Sequence, residues 1–250
     1  MIPLLTEIFN SGKVFDEQGR SYDLHSHTRP EQCAFLQKII KEIKPKRSLE
    51  IGLAYGISTL AILEALSSTS NQFHHTIVDP YQSKYWHSIG LEYIKKSGLG
   101  EQVTFYEKFS FEILPDLCKK GERLQFAYID STKVFDILLV DFFFITRMLD
   151  INGVIVLDDC SFPGIRKLAR FIAMHPSFKV LDAFGADKNS MKRKMLFSFD
   201  NGMIKLIPFK KKMFPVHNFK TDNQLNVDYH CIAFQKIGED NRNWDWFEAF

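Results

Sequence analysis

Apolar residues in this chain fall into two spacings that alternate from about residue 28 to residue 184. A three-and-four spacing places Phe35, Leu36, Ile39, Ile40 and Ile43 on one stripe. It predicts a helix that opens at Thr28-Arg-Pro30-Glu31, with Thr28 as cap and Pro30 in the first turn, and that stops before Pro45. The run Arg47–Ile51 predicts a buried strand, and Gly52 and Gly56 then lead into a helix with Leu60, Leu63, Ala65 and Leu66 on its apolar face. Further strands are expected at His75–Asp79, Val103–Tyr106, Gln125–Asp130, Val154–Asp158 and Phe178–Phe184. Helices are expected at Ser83–Lys96, Phe111–Lys119, Val134–Leu149 and Gly164–His175. Such alternation predicts an α/β domain with a mainly parallel sheet. Met195–Phe199, Met203–Ile207 and Tyr229–Gln235 add three strand patterns. The expected division is a loose or short-helical cover over 1–29, one domain over 30–236 and an aromatic tail over 237–250. Trp244, Trp246, Phe247 and Phe250 of the tail are expected to dock on the domain or on a second subunit, which leaves room for a homodimer.

Composition narrows the function. The 250 residues are 45% hydrophobic, enough for one good-sized domain. Lys+Arg of 32 against Asp+Glu of 30 gives a net charge of +2, which argues against a general nucleic-acid binder. The clusters Lys192-Arg-Lys194 and Lys210-Lys-Lys212 fit solvated loop ends. Cys33, Cys118, Cys160 and Cys231 form no CxxC pair, so zinc and a redox dithiol are not expected. With no apolar run approaching the roughly 18 residues of a membrane span, and no basic region before an apolar core at the N-terminus, the expectation is a cytoplasmic chain that binds no membrane.

The candidate chemistry begins at the strand–glycine turn–helix. Free backbone N–H groups at a helix N-terminus favour polar or anionic ligand groups there. A dinucleotide fingerprint needs G-x-G-x-x-G; Ala54 breaks it, and the pattern is instead Glu50-x-Gly52-x-x-x-Gly56-x-Ser58-Thr59. Ligands of open α/β sheets bind beyond the carboxyl ends of the strands, where this chain places Glu50, Asp79, Asp130 and the pair Asp158-Asp159. Clustered carboxylates repel, so they call for hydroxyls or a cation. Asp79, at the end of the second strand, suits a ribose diol. Asp130, Asp158 and Asp159 offer oxygen ligands from two adjacent strands, a set suited to Mg²⁺ or Ca²⁺.

Leu49-Glu-Ile-Gly52…Gly56-Ile-Ser-Thr59, Ile77-Val-Asp79, Ile129-Asp130 and Leu157-Asp-Asp159 together resemble the motifs of class I S-adenosylmethionine (SAM)-dependent methyltransferases. The acidic trio looks like the metal site of the cation-dependent catechol and caffeoyl-CoA O-methyltransferases. The resemblance implies a Rossmann-like fold with a seven-stranded, mainly parallel sheet, an antiparallel edge and helices on both faces. It also implies that Glu50, Gly52, Tyr55, Gly56, Ser58 and Thr59 surround the methionine part of SAM, with Asp79 on the ribose and Asp130 touching the cofactor. Tyr81 lies against the adenosine or simply packs on the domain; Ser110 sits near the adenine or serves as a helix N-cap. His25 and His27 fall in the cover expected over SAM. Mg²⁺ is expected at Asp130, Asp158 and Asp159.

The implied reaction moves a methyl group to a hydroxyl of a small molecule, and the cation lowers that hydroxyl's pKa. Many members carry Gly-Asp-His after the fourth-strand Asp, whereas Ser131-Thr132-Lys133 stands here. The resemblance implies Asp130 and Lys133 as candidate catalytic groups, since catechol-type enzymes place a lysine three residues after that Asp: either Lys133 is the base, which requires a lowered pKa, or the acceptor needs no base and Lys133 is a solvent-facing lysine at the helix start. Two alternatives stay open: methyl transfer without metal, and a non-catalytic SAM- or nucleoside-binding module that serves a partner protein.

Overall fold

The computed structural model describes residues 3–186 and 220–248. In chain order the elements are α1 (Pro3–Ser11), β1 (Lys13–Phe15), β2 (Ser21–Asp23), α2 (Pro30–Ile43), β3 (Arg47–Ile51), α3 (Ile57–Thr69), β4 (His74–Val78), α4 (Gln82–Tyr85) and α5 (Ile89–Lys96). There follow β5 (Val103–Tyr106), α6 (Ser110–Lys119), β6 (Leu124–Ile129), α7 (Phe135–Met148), β7 (Leu149–Leu157), α8 (Pro163–Met174), β8 (Phe178–Ala186) and β9 (Tyr229–Lys236). Seven strands form one sheet in the order β5-β4-β3-β6-β7-β9-β8. All pairs are parallel except those of β9, which runs antiparallel to β7 and β8. The Rossmann-like expectation holds, with the antiparallel edge built by β8 and β9. The patterns at Met195–Phe199 and Met203–Ile207, the basic clusters at 192–194 and 210–212, and Phe250 lie outside the described residues.

Side chains alternate across the sheet with period two. Leu49, Ile51, Ala127, Ile129, Ile155 and Leu157 pack with α6, α7 and α8 on one face. Phe126, Tyr128, Val154 and Val156 pack with α2 and α3 on the other. The strand order reverses between β3 and β6, so the crevice where such sheets bind ligands opens between Gly52 and Asp130.

The N-terminal segment takes the short-helical form of the expected cover and adds a small hairpin. α1 and the β1–β2 hairpin bury Leu5, Ile8 and Val14 against Tyr55, Leu60, Ala61 and Tyr93. The helix expected over Ser83–Lys96 is two pieces, because His87 and Ser88 take positive φ of 51° and 56°. Tertiary contact holds that break: His87 stacks on Tyr22, 4.3 Å between ring centroids, and Trp86 meets Tyr55 edge-on at 4.9 Å. The N-cap of α2 is Arg29 rather than Thr28; its N–H donates to Gln32 Oε1 at 2.9 Å. In the tail, Trp246 packs on Phe171 and His175, while Trp244 is 98% exposed. Among the described residues no helix is long and apolar enough to cross a membrane.

Asp141 of α7 is fully buried. Burial pushes its pKa up to about 7, with the Ser110 hydroxyl opposing. Between the ordinary carboxylate pKa of 3.8 and 7 the native state keeps a proton that the unfolded chain releases, so stability falls as pH rises through that window. Asp141→Asn is expected to raise Tm relative to wild type more at pH 8 than at pH 4. Thermal unfolding across that range checks it, and equal shifts at both ends would remove the assignment.

Candidate active site

Gly52 carries the chain out of β3 at φ +98°, and its N–H donates to Val78 O at 2.9 Å. A Cβ at this position would overlap the backbone carbonyl oxygen of Asp130, so glycine is what lets the ends of β3 and β6 approach. Gly56 caps α3 at φ +79°.

Glu50 differs from the other acids. It lies within β3, on the face opposite Leu49 and Ile51, and is fully buried beneath α3. Its carboxylate accepts from Ser58 Oγ at 2.5 Å and Thr59 Oγ1 at 2.6 Å, and lies 3.1 Å from His75 Nε2. Ser48 Oγ closes the string at 2.8 Å from His75 Nδ1. Three expected cofactor residues thus satisfy one another inside the domain, locking the first turn of α3 to the strand before it. Bonds to a charged group contribute about 1.5–3 kcal/mol each.

Asp79 follows β4 and is 4% exposed. Its Oδ2 accepts from the N–H groups of Leu53 and Ala54 at 2.8 and 3.0 Å, and its Oδ1 from Tyr81 N–H at 2.8 Å. The carboxylate fastens the glycine turn to the next strand end. Tyr81 is 38% exposed and meets Phe109 edge-on at 5.8 Å, beside buried Ser110, the first residue of α6. The structure therefore gathers Asp79, Tyr81 and Ser110 on one side of the glycine turn.

The other side is a small pocket between Ser26–Thr28 of the cover and Gly52, Ala54, Tyr55, Ser58 and Asp130. Tyr55 Oη lies 3.0 Å from His25 Nε2, and His27 lines the same pocket, so both cover histidines face the glycine turn.

Asp130, Asp158 and Asp159 meet at the ends of β6 and β7. Lys133 Nζ bridges them, 3.0 Å from Asp130 Oδ1 and 2.7 Å from Asp159 Oδ2. Burial disfavours the ammonium, but the two carboxylates outweigh it and hold the Lys133 pKa above the ordinary lysine value. That direction is opposite to the one a lysine base requires; Lys133 is a fixed cation. Burial raises Asp130, with Lys133 pulling the other way. Burial and the adjacent Asp130 push Asp158 up to about 7.

Three further residues complete this corner. Tyr128 Oη donates to Asp158 Oδ2 at 2.5 Å, and Gln32 Nε2 donates to Asp158 Oδ1 at 2.9 Å. His230 Nε2 stands 3.3 Å from Asp159 Oδ1 and 3.6 Å from Asp158 Oδ1. Tyr128 has a signal in the sequence, two residues before Asp130 on the same strand. Gln32 and His230 have none, since their positions depend on helix packing and strand pairing.

Residues 49–160 match the family model described as a methyltransferase domain. The chain is 26% identical over 131 residues to tapetum-specific methyltransferase 1 of Arabidopsis thaliana, covering 52% of this chain and 53% of that protein. It is 31% identical over 109 residues to caffeoyl-CoA O-methyltransferase 2 of Zea mays, covering 42% of this chain and 39% of that protein. The chain spans about half the length of the curated relatives it matches. Among solved structures, the O-methyltransferase from Bacillus cereus in complex with SAH aligns with a TM-score of 0.59 at 21% identity, over 72% of this chain and 84% of that one. The SAH-bound Podospora anserina methyltransferase PaMTH1 aligns at 0.55 and 18% identity, over 94% and 88%.

Proposed function

We propose that this chain, whose residues 49–160 match a methyltransferase family model, transfers a methyl group from SAM to a hydroxyl of a small molecule with the help of a divalent cation. One observation carries the proposal. Asp130 lines the pocket at the glycine turn and also belongs to the carboxylate–lysine cluster, so donor and acceptor sites share a residue. The names of the relatives, O-methyltransferases among them, support the choice of a hydroxyl acceptor.

In this reading SAM binds across the turn, with its ribose at Asp79, its adenine beside Tyr81 and Ser110, and its methionine end between the cover and Gly52. Glu50, Ser58 and Thr59 hold the turn in shape from below. The chain's donors fit a divalent cation: oxygens converge from two strands, and an ammonium already stands among them. Asp158 and Asp159 would hold it, with Asp130 alongside. A bound divalent ion lowers the pKa of an acceptor hydroxyl and fixes its position. Asp130 faces the pocket and takes the hydroxyl proton, while Lys133 supplies positive charge beside the developing oxyanion. The cover excludes water from the methyl group's path.

Lys133 also favours a second reading, in which it provides the only cation and the transfer needs no metal. The test is SAH formation from SAM over a panel of small phenols and diols, in chelator and then with Mg²⁺ or Mn²⁺ restored. Turnover that appears only with metal supports the proposal. Full turnover in chelator selects the metal-free mechanism, and the absence of SAM binding would sink both.

A further inference from the structure

The two oxygens of Asp159 face different partners. Oδ2 holds Lys133, which stays paired with Asp130, whereas Oδ1 turns toward His230. Strand pairing produces this. The antiparallel register of β7 and β9 pairs Leu157 with Ile232, and continued by two residues it sets His230 opposite Asp159. Cys160 N–H bonded to His230 O at 2.8 Å fixes the approach. Asp158, Asp159 and His230 then each offer one donor atom, and these atoms lie within 4.8 Å of one another.

We infer that His230 is a metal ligand: Nε2 completes a three-donor site with Asp158 and Asp159, and this set selects a first-row transition ion such as Mn²⁺ over Mg²⁺. The inference rests on the metal-assisted reading above and changes its ligand set, because Asp130 remains with Lys133 instead of binding the ion. Ligands at about 2.1 Å from one ion stand about 3.0–3.6 Å apart at angles of 90–120°. The separations of 3.3 and 3.6 Å from His230 to the two aspartates fall in that interval. Carboxylate and water suit Mg²⁺, whereas an imidazole adds affinity for Mn²⁺, Fe²⁺, Co²⁺ or Zn²⁺. Tyr128 holds Asp158 Oδ2, and Gln32 donates to both Asp158 oxygens, so the carboxylate is oriented as outer partners orient a ligand. His230 and Asp159 are 29% and 27% exposed at their side chains, leaving the open side to water or an acceptor hydroxyl.

The experiment uses the full chain, stripped with chelator and titrated with Mn²⁺ while free Mn²⁺ is followed by its EPR signal, with and without Mg²⁺. Wild type is expected to bind one Mn²⁺ and to keep it against about a hundredfold excess of Mg²⁺, a preference that needs no variant to read. His230→Gln is expected to weaken Mn²⁺ by about 10–100-fold and to erase the preference. Asp130→Asn is expected to leave Mn²⁺ affinity within about threefold, as for a group that is not a ligand. Equal Mn²⁺ binding by wild type and His230→Gln, or loss of binding in Asp130→Asn, overturns the inference. SAH titration of the same samples separates the two levels. SAH binding without Mn²⁺ binding removes the metal site and leaves the donor site standing; Mn²⁺ binding without SAH binding keeps the metal site and removes the methyltransferase reading.

Discussion

Gly52→Ala is expected to abolish measurable SAH binding and to destabilise the fold by roughly 2–5 kcal/mol, the sum of left-handed backbone strain and overpacking. Two effects coincide at this position. The backbone sits at φ +98°, and the added methyl meets the Asp130 carbonyl, with the carbonyl carbon only 2.9 Å away. The obstacle is backbone of the neighbouring strand, so no side-chain rotation relieves it. Either β3 and β6 separate at the crevice or the turn changes course, and both displace the Leu53 and Ala54 N–H groups from Asp79. Gly98→Ala is the matched control: its φ is +75°, and nothing lies within 4 Å of the new methyl. It is expected to lose only about 1 kcal/mol. Denaturant unfolding of both variants with a calorimetric SAH titration decides the matter. Equal losses in the two would mean that the close approach of β3 and β6 is not what glycine serves here.

Asp130→Asn is expected to lower kcat by about 10²–10³-fold, the range seen when a positioned proton acceptor or charge partner is removed. The amide keeps the shape of the carboxylate, so SAH affinity should change by less than tenfold. What is lost is the negative charge beside Lys133 and, on the proposed mechanism, the proton acceptor on the pocket wall. Lys133 keeps Asp159 as a partner, and its ammonium therefore stays in place. Steady-state kinetics with the acceptor found in the panel, set beside the SAH dissociation constant, reads the split. Turnover within threefold of wild type would assign the proton to solvent and leave Asp130 a wall of the pocket.

Much of this arrangement follows from patterns local to a few residues. The period-two and period-3.6 spacings place most of the central strands and helices within a residue or two, because each element must bury one face; β7 is the exception, since it begins at Leu149, five residues before the expected Val154. The glycine turn, and Asp79, Asp130, Asp158 and Asp159 just beyond their strands, also follow from local pattern, since a parallel sheet carries all such ends to one rim. Tertiary structure alone decides the rest. Glu50 resembles the rim acids in sequence, yet its place one residue inside β3 turns it beneath α3, where Ser58, Thr59 and His75 satisfy it. The split of α4 from α5 comes from ring contacts between Tyr22 and His87 and between Tyr55 and Trp86, which outweigh helix periodicity. Lys133 becomes a fixed cation because two strand ends close around it. His230 reaches Asp159 only through the β7–β9 register, a pairing of distant segments on which no local spacing bears.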